Sequence, residues 1–115
     1  MRKVEMIFVT GPAYSYKKEY IMKELSLDEE SWDSIGAEKV QELVRERMSM
    51  EELERLADSL SEKEVVIADE VGSGVVPVDE AERIFREQAG RLCVMLAQRA
   101  GRVIRVVCGL PRVLK

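Results

Sequence analysis

The sequence predicts an α/β domain in which a small parallel sheet is covered by helices on both faces. Short apolar runs of strand length alternate along the chain with longer segments whose apolar residues recur every three or four positions. This alternation implies right-handed crossovers between parallel strands, and therefore three layers. A chain of 115 residues suffices for one such domain, and we assign residues 1–115 to it.

Three strands are predicted. The first lies in the apolar run Val4–Thr10, which ends at a Gly-Pro pair, and the second is Val65–Ala68. The third is Val103–Cys108, which is also rich in β-branched residues. Runs of this length and composition are typical of buried strands. A sheet of three strands leaves two unpaired edges, so we expect this protein to form a homo-oligomer.

Four helices are predicted around these strands, each with apolar residues on one face. They are Lys17–Leu25, Ala37–Arg47, Met50–Leu60 and a long helix from Asp79 to about Gly101. Ser49 and Asp79 have the spacing of N-caps, since a glutamate follows each of them three residues later. The polar and acidic segment 26–34 is predicted to be a connection.

The composition excludes several functions for this chain. With 18 Lys and Arg against 22 Asp and Glu, its net charge is −4, which disfavours nonspecific nucleic-acid binding. The chain has no histidine, which excludes histidine-based acid–base catalysis, metal ligation and covalent intermediates. Cys93 and Cys108 lack the spacing of a metal or redox motif, and we expect both to be buried free thiols. We predict no metal site from these residues.

The expected location is the cytoplasm. Free thiols are typical of a reducing compartment, and the N-terminal apolar run is too short for a signal peptide. No run approaches the length of about 20 apolar residues that crosses a bilayer, so we expect no membrane partner.

The segment after the first strand resembles a phosphate-binding loop, at the strand end where parallel sheets bind ligands. Its residues are Gly11, Pro12, Ala13, Tyr14, Ser15, Tyr16, Lys17 and Lys18. In the pattern G-x-x-x-x-G-K-[ST], Gly11 and Lys17 match in register. The same residues would also suit an ordinary turn from strand to helix, so both interpretations stay open.

Two positions of this loop depart from the pattern. Tyr16 replaces the second glycine, and we expect its ring to narrow or close the anion site. Lys18 replaces the hydroxyl residue; it cannot ligate Mg²⁺ and would repel it, so Mg²⁺ binding is expected to be weakened. A helix N-terminus with two adjacent lysines still favours an anion, and ATP or GTP is the expected nucleotide.

An acidic pair, Asp69 and Glu70, directly follows the second strand. This is the arrangement of a Walker-B motif, although acidic residues are common at strand ends, and again both interpretations stay open. The glycine-rich loop from Val71 to Pro77 permits a sharp turn but lacks the dinucleotide-binding pattern.

The segment Asp69–Pro77 resembles the hallmark N/D-E-V-G-x-G-[IV]-V-P of the adenosylcobinamide kinase/adenosylcobinamide-phosphate guanylyltransferase family of cobalamin biosynthesis. That family's helix motif F-R-[ED]-x-A-G-R is matched by Phe85–Arg91. The likeness extends over Val65–Lys115 and includes the loop region Val4–Lys18. Members with both activities are longer, and we interpret Ser26–Lys63 as a short helical replacement for a segment that they contain.

The resemblance implies a P-loop NTPase-like topology and a nucleotide or other phosphate ligand, with a corrinoid as second ligand. Its implied reaction is phosphoryl transfer from ATP or GTP to a corrinoid hydroxyl, with Lys17, Asp69 and Glu70 as catalytic residues. Lys17 would neutralise the terminal phosphates, which backbone amides of Ala13–Lys17 would cradle. Asp69 or Glu70 would hold Mg²⁺ or orient the hydroxyl.

Two further expectations follow from the resemblance. Guanylyl transfer in this family passes through a guanylylated histidine. Because this chain has no histidine, we expect guanylyl transfer by this route to be excluded. The alternative to an enzyme is a non-catalytic binding or assembly protein that keeps the fold without the active site.

Overall fold

A computed structural model describes residues 5–71 and 79–115 of the protein. Its elements in chain order are β1 (Ile7–Gly11), α1 (Lys17–Glu24), α2 (Glu29–Ile35), β2 (Gly36–Ala37), a 3₁₀ helix (Val40–Val44), α3 (Met50–Leu60), β3 (Val65–Asp69), α4 (Glu80–Arg99), β4 (Arg102–Val107) and β5 (Leu110–Val113). The predicted α/β fold class is confirmed.

The strands form one sheet in the order β2-β3-β1-β4-β5. β1 is parallel to β3 and to β4, β2 is parallel to β3, and β5 alone runs antiparallel, beside β4. The prediction of three strands was therefore too low, although the three central strands are the predicted ones. Because Gly11 lies opposite Asp69 in the register of β1 and β3, the loops that follow these strands begin side by side.

Helices cover both faces of the sheet. On one face, α3 and α4 pack against Phe8 and Val66 in a cluster that contains the fully buried Leu53 and Leu92. On the other face, α1 and α2 pack through Ile21 and Trp32. Successive strand residues point to opposite faces, so each strand contributes to both clusters. This confirms the predicted three layers.

Both predicted N-caps are confirmed. The Ser49 hydroxyl accepts a hydrogen bond from the backbone N–H of Glu52 (3.1 Å), and the Glu52 carboxylate accepts one from the N–H of Ser49 (3.2 Å). Asp79 likewise accepts from the N–H of Glu82 (2.7 Å) and begins α4. Since a cap of this kind contributes about 1 kcal/mol, the sequence pattern locates both helix starts for a physical reason.

The prediction for residues 26–47 was wrong in two respects. Segment 26–34 contains most of α2, which Asp28 caps by accepting a hydrogen bond from the N–H of Ser31. The predicted helix Ala37–Arg47 is instead a two-residue strand followed by a 3₁₀ helix. Lys39 between them has a left-handed backbone (φ 54°), which an α-helix running through this position would not allow.

The C-terminal segment that follows the third predicted strand forms a β-hairpin with β4. Cys108 (φ 52°) and Gly109 (φ 75°) both have positive φ, as the two central residues of a type I′ turn require. The N–H of Gly109 donates a hydrogen bond to the carbonyl of Ser15 (3.0 Å), which ties the turn to the loop after β1. Cys108 is therefore exposed on a turn and Cys93 is half-buried, so the expectation of two buried thiols was wrong.

Part of the predicted organisation concerns residues beyond the described ranges. The glycine-rich loop predicted at 71–77 lies, from Gly72 onward, outside the described residues, and so does Val4. The homo-oligomer stays a prediction, and the sheet edges on which it depends are now β2 and β5. Among the described residues, no helix combines the length and the apolar character needed to span a membrane.

Candidate functional site

The carboxyl ends of β1 and β3 form the base of the candidate site. Gly11, the last residue of β1, has a φ of 147°, and a Cβ atom there would collide with the carbonyl oxygen of Val106 on β4. Its own carbonyl accepts a hydrogen bond from the N–H of Glu70 (2.8 Å). Glycine is therefore required at this position, because the chain turns here while three strands remain closely packed.

The loop between β1 and α1 contains two tyrosines with left-handed backbone. Tyr14 has a φ of 59° and Tyr16 a φ of 64°, a conformation that costs a residue with a side chain about 1 kcal/mol. Tyr16 thus adopts the backbone that the glycine of the phosphate-binding pattern would adopt without strain. The two side chains are 99% and 65% exposed, so the ring of Tyr16 borders the site instead of filling the loop.

Lys17, the first residue of α1, is buried and uses all three of its ammonium donors. Its Nζ lies 2.7 Å from Oδ1 of Asp69, 2.6 Å from the carbonyl of Pro12 and 3.2 Å from the hydroxyl of Ser15. The last two contacts fold the loop back over the lysine. An incoming phosphate oxygen must therefore replace at least one of these acceptors.

The backbone N–H groups of residues 13–18 have no acceptor within the described ranges. Tyr16, the N-cap of α1, supplies no side-chain cap either. Unpaired N–H groups at a helix N-terminus carry partial positive charge and attract anions. The loop and the first turn of α1 are therefore electrostatically suited to a phosphate group.

Asp69 is held from a second side by Gln41, a residue that the sequence analysis did not single out. Gln41 is 97% buried; it accepts a hydrogen bond from the N–H of Asp69 (3.0 Å) and donates one to Oδ2 of the same residue (3.4 Å). The only sequence signal was a glutamine between Val40 and Glu42 in a predicted helix. That signal does not identify a partner 28 residues away.

Glu70 forms an ion pair with a residue other than Lys17. Its carboxylate accepts two hydrogen bonds from Arg105 of β4, at 2.7 and 2.8 Å. These bonds are the main reason why the pKa of Glu70 lies below its usual value. Burial acts in the opposite direction and raises this pKa. Sequence reasoning missed Arg105, since its proximity depends on the pairing of β1 with β4.

An open cleft of about 400 Å³ lies beside Lys17 and Asp69 at the carboxyl edge of the sheet. Its lining residues are Ala13–Glu19, Glu38, Lys39, Ile67 and Asp69. The structure therefore brings Lys17 and Asp69 together with most of the predicted loop, while Glu70 is engaged by Arg105. Among the described residues, no three acidic or cysteine side chains are grouped so as to hold a metal ion.

Lys18 occupies the side wall of this cleft. Its ammonium lies 3.4 Å from a carboxylate oxygen of Glu29 and 3.3 Å from one of Glu38, and 5.4 Å from the centre of the Trp32 ring. The residue at the position of the motif hydroxyl is therefore a cation held by two carboxylates and an aromatic face.

Comparison with known proteins identifies the family. The sequence model of the family described as cobinamide kinase/cobinamide phosphate guanyltransferase matches residues 19–114. The chain belongs to this family. Among individual proteins, the bifunctional adenosylcobalamin biosynthesis protein CobP of Pseudomonas aeruginosa is 39% identical over 67 residues. That similarity covers 56% of this chain but only 39% of CobP.

The family predicted from the sequence is thus confirmed, with two qualifications about where the likeness lies. The family match begins at Glu19, directly after the loop, so it gives no support to phosphate binding by residues 11–18, for which only their own sequence and geometry argue. The match also includes 26–63, the range that the sequence analysis interpreted as a replacement.

Proposed function

We propose that this chain binds the phosphate groups of ATP or GTP in the cleft beside Lys17, as part of cobalamin biosynthesis. The observation that carries the proposal is the set of unpaired N–H groups at residues 13–18, next to a buried lysine ammonium. Amide donors and an ammonium converging on one space are the means by which proteins hold phosphate oxygens.

The second ligand in this proposal is a corrinoid. Family membership supports it, and the name of CobP assigns that relative to adenosylcobalamin biosynthesis. The reaction proposed for the pair is transfer of the terminal phosphoryl group to a hydroxyl of the corrinoid. Lys17 would neutralise charge on the transferred group, and Asp69, which lines the cleft, would orient the hydroxyl. Guanylyl transfer through a histidine is excluded for this chain, which has none.

A second candidate function is binding without transfer, and the Lys17–Asp69 pair favours it. At 2.7 Å, the ammonium neutralises the carboxylate that would orient the hydroxyl. Gln41 also engages that carboxylate. A carboxylate with both oxygens engaged is a poor acceptor for a further proton or hydroxyl group. A radioactive phosphoryl-transfer assay with adenosylcobinamide and ATP or GTP separates the two candidates.

The binding test is calorimetric titration of the Lys17→Ala variant with ATP and GTP. Removing the buried ammonium should weaken nucleotide binding by at least about 1.5 kcal/mol, the scale of a charge-assisted hydrogen bond. Lys23→Ala is the matched control, because Lys23 lies on the same helix, is exposed and does not line the cleft. Unchanged affinity in Lys17→Ala would place the nucleotide elsewhere and contradict the proposal.

A further inference from the structure

The loop pattern that this chain partly matches works with Mg²⁺, so the fit of that ion to the present residues can be tested. Mg²⁺ requires oxygen ligands in near-octahedral geometry, and in such loops a hydroxyl after the lysine supplies one of them. Here that position is Lys18, which offers a cation in place of a ligand.

The carboxylates that could replace the missing hydroxyl are already engaged. Both oxygens of Asp69 have partners, Oδ1 the ammonium of Lys17 at 2.7 Å and Oδ2 the amide of Gln41 at 3.4 Å. Both oxygens of Glu70 accept hydrogen bonds from Arg105. Each acidic residue at the end of β3 is therefore neutralised by a cation of the chain itself, and the residues present do not fit Mg²⁺.

The chain supplies a different positive charge at the same place. Lys18 is 27% exposed, lines the cleft and lies between Glu29 and Glu38. Partial burial lowers the pKa of its ammonium, but the bonds and charges of Glu38 and Glu29 outweigh this and raise the pKa overall. Lys18 is therefore fully protonated at neutral pH, and it has carboxylate partners that a ligand phosphate can replace. Lys39, also at the cleft, has no ion pair among the described residues.

We propose that this cleft binds nucleotide phosphates without a divalent metal, with the Lys18 ammonium in the role that the ion has in a complete phosphate-binding loop. The inference rests on the proposed function, because it concerns the same phosphate ligand. It specifies that the bound ligand is a polyphosphate without a metal ion. The phosphate is held by the N–H groups of residues 13–18 and by the ammonium groups of Lys17 and Lys18. To reach it, the Lys18 ammonium moves away from the carboxylates of Glu29 and Glu38.

The test is calorimetric titration of the full chain with ATP, GTP and inorganic pyrophosphate, once with EDTA and once with Mg²⁺ in excess. We expect binding in EDTA that is at least as tight as in Mg²⁺, since the site offers the ion no ligand and Mg²⁺ in solution competes for the same phosphate oxygens. Trp32 is the single tryptophan of the chain and lies under Lys18. Its fluorescence should therefore change as the phosphate draws the ammonium away from the ring.

The discriminating variant is Lys18→Ser, which restores the hydroxyl of the pattern. In EDTA it should bind about tenfold more weakly than the parent, and Mg²⁺ should recover part of that loss. Lys23→Ser is the control with the same charge change on the exposed side of α1, and thermal unfolding of each variant checks that it is folded.

The possible results separate this inference from the proposed function. Binding that requires Mg²⁺ overturns the inference and leaves the proposed function standing. Equal affinity of Lys18→Ser and the parent in EDTA also overturns it, because another group would then supply the charge. No binding of any of the three ligands in either condition overturns the proposed function itself.

Discussion

The cluster beneath α3 and α4 and the carboxyl edge of the sheet use buried polar side chains in different ways. In the cluster, the buried Gln88 bonds to backbone groups, namely the carbonyls of Val44 and Glu46 and the N–H of Met48. At the edge, Lys17 and Gln41 bond to a carboxylate that lines the cleft. The first region uses its polar group to fix the path of the chain. The second assembles charged partners that a ligand can replace.

The two regions should respond differently to substitution. Changes beneath α3 and α4 should alter the free energy of unfolding and leave ligand binding in the folded protein as it was. Changes at the carboxyl edge should alter ligand binding, with small or even favourable effects on stability. Five substitutions test this separation, taken from the largest expected effect to the smallest.

Leu92→Ala should have the largest effect. Leu92 of α4 is fully buried, and its truncation should cost about 2–5 kcal/mol through lost burial and the cavity that remains. Urea unfolding gives the value, and Val94→Ala, at an exposed position of the same helix, is the control. Altered nucleotide affinity of folded Leu92→Ala would contradict the separation of the two regions.

Gln88→Leu should cost about 2–3 kcal/mol, since it leaves the N–H of Met48 and the carbonyl of Val44 without their partner in a buried region. Gln98→Leu makes the same change at an exposed position of α4 and should be nearly neutral. The counterpart at the edge is Gln41→Leu, which should also alter nucleotide affinity because it frees Asp69. If both variants left affinity unchanged, the contrast between the two buried glutamines would be lost.

Tyr16→Gly should stabilise the protein by about 0.5–1 kcal/mol. Glycine adopts a φ of 64° without the cost that tyrosine incurs, although it also gains freedom in the unfolded chain. The control is Tyr20→Gly within α1, where the same change should destabilise. Thermal unfolding measures both. A lower melting temperature for Tyr16→Gly would mean that the exposed ring makes contacts worth more than the backbone strain.

Glu70→Gln should have the smallest effect, below about 1 kcal/mol, because Glu70 and Arg105 are both about one-third or more exposed. The pKa of Glu70 is lowered chiefly by its hydrogen bonds from Arg105, so the ionised form is favoured in the folded state. Its contribution is therefore present at neutral pH and is lost as the pH falls below the usual glutamate range.

The corresponding measurement is the stability difference between the parent and Glu70→Gln at neutral and at acidic pH. The difference should shrink as the pH falls. Glu87→Gln, at an exposed residue of α4 without an ion pair in the described part of the chain, should show no such change. A difference that stayed constant with pH would contradict the assigned cause.

The central part of the fold was predictable because its signals are local. Periodicity and capping residues located α3 at Met50–Leu60, with the bounds that the structure has. The β5 strand was not predictable in this way, because all four of its residues are exposed and it contains a proline. The two residues of β2 are too few for any period to be recognised.

For the site, the sequence located the residues but not their pairing. Lys17 and Asp69 were expected because each follows a strand end, and parallel pairing of β1 with β3 brings them together. The partners Gln41 and Arg105 depend on contacts across 28 and 35 residues, which a local pattern cannot specify. Sequence reasoning also treated Asp69 and Glu70 as interchangeable, whereas Asp69 pairs with Lys17 of α1 and Glu70 with Arg105 of β4.

The hairpin turn between β4 and β5 offers a site for an optical probe. The thiolate is the nucleophile that attacks an alkylating dye, and burial raises the pKa of the Cys93 thiol to about 11. At neutral pH a maleimide dye should therefore attach to the exposed Cys108. The dye would lie one residue from Gly109, whose N–H holds the carbonyl of Ser15. Its emission would then report on the conformation of the loop in single molecules, without a substitution at the cleft.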